Sequence, residues 1–345
     1  MSAARDPTID VLRGLAIFTM VGANLAGPVL AGPHPFWVRY YGSFAAPLFI
    51  LLAGMMVALS GTTKGYGPGY FARRGALILG AGVLVDVVIW KIYPFTGMDV
   101  LYLIGLSLPV AALLRGVNPL SRWVIALTLF LVTPAFQNLL GYTDYPSEVH
   151  LWGEPVAVVA NQTTVLTHGV VDGWFPIFPW LGFALVGVAL AALRWRPRSR
   201  TTFGTRPVLL VGLGLWALGS LLWWLYPGRL LTREGFSELF YPPTVGYVMS
   251  ALGLILLLFA VVDWKPLALY GPLRALGESA LFLYILHLAL IEYLIAPRWA
   301  GQPLGAFGGI YLALLAFLIA IAYGLRALKA RWTARPFLLR VLLGG

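Results

Sequence analysis

Apolar runs of about 20 residues recur along the whole chain, each long enough to carry a helix through roughly 30 Å of hydrocarbon. They begin near Val11, Gly42, Tyr70, Val100, Trp123, Trp174, Pro207, Thr244, Ser279 and Gly305. A membrane β-barrel is excluded, because its segments would be about ten residues long and alternate in polarity. Composition agrees: 60% of the 345 residues are hydrophobic and 11% are charged, with a mean hydropathy of +0.84, beyond what a water-soluble domain carries. The expected fold class is all-α, a polytopic integral membrane bundle of about ten transmembrane helices. No internal repeat and no long polar linker interrupts it, so residues 1–345 read as one membrane domain.

Basic residues orient this bundle. With the N-terminus inside, only Arg39, Lys91, Arg229, Arg233 and Arg298 of the 24 lysines and arginines fall in outside segments, as the positive-inside rule requires. Both termini are expected in the cytoplasm. The net charge of +11 and the "RWRPRSR" cluster at Arg194 to Arg200 then read as anchors beside anionic headgroups. No nucleic-acid motif accompanies them, and nucleic acid is not an expected partner. Asp6, Asp10 and Arg13 crowd the region that a signal peptide would keep basic, so the first run reads as a retained span. A prokaryotic plasma (inner) membrane, crossed many times, is the expected location. The chain has no cysteine, which excludes disulfides and thiolate chemistry. Its four histidines, at 34, 150, 168 and 287, lack metal-ligand spacing, and no metal is expected.

Polar groups inside apolar spans are costly, so each one is a candidate for function to be weighed against structural pairing. "IDVLRG" puts Asp10 and Arg13 three residues apart on one helix face, where they can pair or where Arg13 can meet a headgroup or ligand. Asn24 lies about 16 Å farther along the same helix. Gly27-Pro28 is expected to end or break the helix, and "NLAGPVLAGPHP" then holds His34 between prolines. The short return to the second span can bring Asn24 and His34 together, lining a cavity; the other reading of His34 is an interfacial loop residue. Ser43 stands at the outer end of the second span. Arg73 and Arg74 stand at the cytoplasmic mouth of the third, as snorkelling anchors or as a clamp for phosphate. Asp86, in that span, has no obvious partner in the sequence. His287, near the middle of the ninth span, reads as a packing hydrogen bonder or a cavity-lining group. His168, Asp172 and "WFPIFPWLG" sit where the sixth span enters from outside, and Trp174 and Trp180 fit an aromatic belt. Two outer loops, Gly141 to Gly173 with Asp144, Glu148, Glu154 and Asp172, and Tyr226 to Pro243 with Arg229, Arg233, Glu234 and Glu238, can wall an acceptor site. Asn161 opens a formal glycosylation triplet without meaning in a bacterial host.

The segments "IDVLRGLAIFTMVGANLAGP", "GPHPFW", "FAAPLFILLAGMMVALS", "YFARRGALILG", "DVLYLIGLS", "FPIFPWLGFALVGVAL" and "LRALGESALFLYILHLALI" resemble, in order, the motifs of the heparan-α-glucosaminide N-acetyltransferase family, including its bacterial relatives. The resemblance runs over most of the chain. It implies a single transmembrane acyltransferase domain that moves an acetyl or short acyl group from cytoplasmic acetyl-CoA to an amine or hydroxyl of a sugar-like acceptor outside. It implies His34 as general base and Asn24 as its companion. Arg73, Arg74, Arg13 and Arg274 would hold the nucleotide phosphates, with Ser43, Asp172 and His287 lining the substrate site. Where family members carry an aspartate before the proline of the second span, "SFAAP" has Ser43, which opens the question of acceptor identity and of how His34 is oriented. The lipid bilayer, acyl-CoA and a sugar-like acceptor are the expected partners, and a homodimer stays open. Asp86, Glu278, His287 and Glu292 would also suit a secondary transporter, although such proteins often show two related halves; a catalytically silent scaffold is the third alternative.

Overall fold

The computed structural model describes residues 6–141, 148–152, 165–196, 199–226, 243–265, 267–332 and 334–344. Asp144, Glu154, Asn161, Arg198, Arg229, Arg233, Glu234 and Glu238 lie outside the described residues. The chain is an all-α membrane bundle. Helix α1 spans Pro7–Val29, its start fixed by Pro7 and by the Asp6 carboxylate, which accepts from the Thr8 amide at 3.1 Å. Then come α2 (Phe36–Gly42), α3 (Ala45–Thr63) and α4 (Pro68–Leu84), the last running on as a π-helical turn, Val85–Trp90. Asp99 caps α5 (Val100–Leu114), and Asn118 caps α6 (Pro119–Leu140). Next are α7 (Val165–Thr167), with a π turn His168–Asp172, α8 (Ile177–Arg194), α9 (Arg206–Leu225) and α10 (Val245–Trp264). The series closes with α11 (Gly271–Gly277), α12 (Ala280–Leu290), α13 (Ala296–Trp299), α14 (Leu304–Arg331) and α15 (Phe337–Leu343). A π turn, Ile291–Ile295, joins α12 to α13. Trp195–Arg196 and Ser199–Arg200 form a two-residue antiparallel ladder between spans.

Eight helical stretches among the described residues are long and apolar enough to cross a membrane. The expected third and fourth spans are shorter: α4 has 17 residues before its π turn and α5 has 15. Gly27-Pro28 does not break α1, which ends just beyond it when the Leu30 amide bonds back to the Ala26 carbonyl at 2.9 Å. Pro28 sits in the last turn, where the helix stops in any case, and it withholds the amide that would have bonded the Asn24 carbonyl.

The chain divides into two compact units, Met1–Phe49 with Phe203–Tyr241 and Met249–Gly345, and Ile50–Thr202 with Pro242–Val248. In the first, α1 and α11 cross backbone to backbone: a Cβ on Gly14 would collide with the Leu273 carbonyl and one on Gly277 with the Asp10 carbonyl. Helices α9 and α10 meet through Gly219 and Gly253 in the same way, with the Ser220 and Ser250 hydroxyls 2.9 Å apart. Small residues let helices approach where lipid leaves no hydrophobic drive between them. Asp263 ties the start of α1 to this unit, accepting from the Thr8 hydroxyl at 2.6 Å and the Phe203 amide at 2.8 Å. In the second unit α3 and α8 interlock, Gly54 against the Ala184 carbonyl and Gly187 against Leu51.

Candidate functional site

Asn24 stands one turn before Pro28 on α1, and its side chain reaches α12. Its amide nitrogen lies 3.0 Å from His287 Nε2, while His287 Nδ1 lies 3.0 Å from the Leu283 carbonyl one turn back on its own helix. A carbonyl only accepts, so Nδ1 carries the proton; in the uncharged ring Nε2 is then an acceptor and the Asn24 N–H donates to it. His287 is fully buried, whereas Asn24 keeps part of its surface exposed. The sequence suggested Asn24 beside His34; the structure adds His287 as a partner of its amide.

His34 follows the end of α1. The end of α1 and the residues just after it are pinned by Gln302, which pairs with Leu30 in a single parallel bridge; its amide donates to the Val29 carbonyl at 2.7 Å and its carbonyl accepts from the Ala31 amide at 2.8 Å. Gly32 then takes φ +71°, a left-handed turn open to glycine at little cost. Pro35 opens α2, its carbonyl accepting from the Val38 and Arg39 amides. His34 is 8% exposed, enclosed by the protein around it. Burial lowers its pKa below the usual 6.5; a hydrogen bond to the Leu30 backbone opposes this, and the Arg39 charge adds to the lowering. The imidazole is thereby kept in its basic, uncharged form near neutrality. Ser43, fully buried, donates to the Arg39 carbonyl at 2.7 Å, so its hydroxyl serves the end of α2.

The four arginines are divided between the two units. Arg13 pairs with Asp10 at 3.7 Å, and Arg274 with Glu278 at 3.4 Å. Glu278 also takes a two-pronged grip from Arg326, Nε at 2.8 Å and Nη2 at 3.1 Å. Arg73 is exposed and Arg74 half-buried near the start of α4, in the second unit.

The second unit holds a further polar group. Asp172 and His168, both buried, meet at 2.8 Å across the π turn that precedes α8. Nearby backbone is laced together: Tyr93 donates to Val149, Leu151 to Lys91, Trp174 to Gly97 and Phe175 to Met98, at 2.7 to 3.1 Å. Lys91, Phe95 and Met98 hold positive φ of 57°, 67° and 57°, strain that is tolerated where the surroundings fix it. The Trp174 indole donates to Glu148 at 2.8 Å, and burial raises the Glu148 pKa above its usual range. Asp86 does have partners: its Oδ2 accepts from the Tyr102 hydroxyl at 2.6 Å and the Phe95 amide at 3.2 Å. Two sequence expectations are corrected. Trp180 is fully buried among Phe175, Phe183 and Tyr247 and belongs to no interfacial belt, and Arg194 is fully enclosed instead of snorkelling with the basic cluster. Sequence reasoning missed the Asn24 to His287 contact, the influence of Arg39 on His34 and the grip of Arg326 on Glu278. Among the described residues no three side chains of His, Cys, Asp or Glu converge as metal ligands.

No curated protein matches the chain. The family model described as heparan-alpha-glucosaminide N-acetyltransferase, catalytic, matches residues 5–228. That stretch contains Arg13, Asn24, His34, Ser43, Arg73, Arg74 and Asp172, while Arg274 and His287 follow it. With more than half of its length matched, on an all-α bundle of apolar membrane helices, the chain belongs to the heparan-α-glucosaminide N-acetyltransferase family and is a membrane acetyltransferase.

Proposed function

We propose that the protein transfers an acetyl group from cytoplasmic acetyl-CoA to an amine or hydroxyl of a sugar-like acceptor on the outer face of a prokaryotic plasma membrane. The observation that carries this reading is a buried, uncharged-leaning His34 at the end of the helix that presents Asn24, within the stretch matched by the family model. In the reaction the acceptor attacks the thioester carbonyl as His34 removes its proton, a role suited to a base titrating below neutrality. The carbonyl oxygen becomes an oxyanion, and an Asn24 N–H faces it without bringing a charge. Collapse expels the CoA thiolate, which takes up the proton from His34.

Arg73 and Arg74 are the proposed phosphate ligands, because paired guanidinium groups grip phosphate oxygens through two hydrogen bonds each. Arg13 and Arg274 contribute positive charge at the cytoplasmic end, already shared with Asp10 and Glu278. Ser43 and Asp172 are the proposed substrate-side residues, and His287 stands against Asn24. Residues 1–345 act as one transmembrane acyltransferase domain in this reading. Transport is not favoured, since Asp86 and Glu278 are held by local hydrogen bonds and ion pairs.

The test is release of free thiol from acetyl-CoA by detergent-purified protein offered amino sugars and neutral sugars. Wild type is expected to turn over with at least one acceptor, and His34→Ala to lose about 10²–10⁴-fold in kcat. Arg73→Ala with Arg74→Ala is expected to raise KM for acetyl-CoA about tenfold at little cost in kcat. A folded His34→Ala protein with wild-type turnover would overturn the assignment of the base.

A further inference from the structure

Asn24 presents two different faces to a reacting carbonyl, and only one of them is useful. Its amide N–H stabilises a developing oxyanion, whereas its Oδ1 would repel one. The two faces exchange when the amide turns over by half a rotation, at little cost for an unconstrained asparagine. Something must therefore select the orientation if Asn24 is to act as a donor at every turnover.

We infer that His287 is a positioning residue that locks the Asn24 amide with its nitrogen toward the imidazole, leaving the second N–H for the oxyanion. This rests on the reading of Asn24 as the oxyanion donor. The Leu283 carbonyl, 3.0 Å from Nδ1, sets the tautomer of the ring. Nε2, 3.0 Å from the Asn24 nitrogen, then offers a lone pair and no proton. The flipped amide would place two acceptors face to face in a buried setting, which leaves both unsatisfied. His287 is itself fixed: it is 0% exposed, its ring meets Tyr284 edge-on at 5.6 Å, and the π turn Ile291–Ile295 begins one turn farther on. Ring, carbonyl and amide thus form a chain in which each member dictates the orientation of the next. The residue lies beyond the stretch that the family model matches, 263 positions from the group it orients.

Two amides of nearly equal polarity separate this role from simple packing. Glutamine extends to the position of Nε2 and can accept from Asn24, whereas asparagine reaches only the position of Nδ1. His287→Gln is expected to keep kcat within about threefold of wild type, and His287→Asn and His287→Leu to lower kcat about ten- to a hundredfold with KM for acetyl-CoA unchanged. Adding His287→Leu to Asn24→Ala should slow the enzyme no more than about twofold beyond Asn24→Ala alone, because the group being positioned is already gone. The inference is overturned if His287→Asn or His287→Leu retains wild-type kcat while Asn24→Ala is slow. It is also overturned if the losses multiply in the double variant, or if glutamine and asparagine act alike in proteins of equal thermal midpoint. Wild-type kcat in Asn24→Ala would instead overturn the oxyanion role on which the inference stands.

Discussion

At the scale of single residues, the pH response of the proposed reaction follows from what surrounds His34, its proposed base. Burial depresses its pKa, and the Arg39 charge depresses it further. A base must be unprotonated to act, so kcat/KM is expected to stay flat through neutrality and to fall as pH drops through an apparent pKa below 6.5. Arg39→Gln removes one of the two lowering causes, so its acidic limb should move to higher pH while the plateau persists. A limb that stays in place in this variant would show that another group titrates. His34 is held by a hydrogen bond to the Leu30 backbone and by the fixed turn around it, while the Ser43 hydroxyl donates to the Arg39 carbonyl. Ser43→Ala is expected to cost about 0.5–1.5 kcal/mol in stability and, as the loss of a proposed substrate-side group, to raise KM for the acceptor while KM for acetyl-CoA stays near wild type, measured on the same preparations. His34 was legible in the sequence because glycine and two prolines frame it within four residues. The partner of Asn24 was not, because a contact between helices leaves no local spacing to read.

At the scale of elements, the apolar runs announced the helices, but their lengths reflect more than hydropathy. Helix α4 carries Arg73 and Arg74 and passes into a π turn at Asp86, where the side chain bonds Tyr102 and the Phe95 amide; local polar satisfaction, not apolar length, sets its end. The glycines that carry helix crossings were visible as composition only, because which face meets a neighbour depends on packing. The contact of α1 with α11 tolerates no added bulk: Gly277→Val must push the Asp10 carbonyl away, and overpacking of this kind costs about 1–3 kcal/mol or more. A lowered thermal midpoint in detergent, with aggregation on gel filtration, is the expected result, and Gly324→Ala on α14, where a Cβ meets open space, should be silent. The end of the chain is held differently. Lys329 donates to the Glu278 carbonyl at 3.0 Å, the Ser279 hydroxyl at 2.9 Å and the Leu343 carbonyl at 3.1 Å, so it joins α14, the start of α12 and the end of α15. Lys329→Met should loosen α15 and hasten proteolysis after residue 332 with the rest of the chain intact.

At the scale of the whole molecule, the proposed reaction places donor and acceptor on opposite sides of a membrane, so the direction of α1 becomes a functional property. Its 23 residues span about 33 Å, enough to cross the hydrocarbon. The Thr8 hydroxyl ties its first turn to Asp263, and Gln302 pins its last turn beside the loop of His34. Two exposed positions in the same unit therefore report the two ends: Lys265 follows Asp263, and Ala300 precedes Gln302. The excess of basic residues in the segments assigned inside predicts that the Asp263 end faces the cytoplasm. The absence of native cysteine makes the measurement simple, since each introduced thiol is the only one. A membrane-impermeant maleimide should label Ala300→Cys in intact cells and Lys265→Cys only after the membrane is opened. The reverse pattern would put His34 on the cytoplasmic side, where acetyl-CoA and acceptor would have to meet without any transfer across the bilayer, and the outward-facing acceptor of the proposed reaction would fall with it.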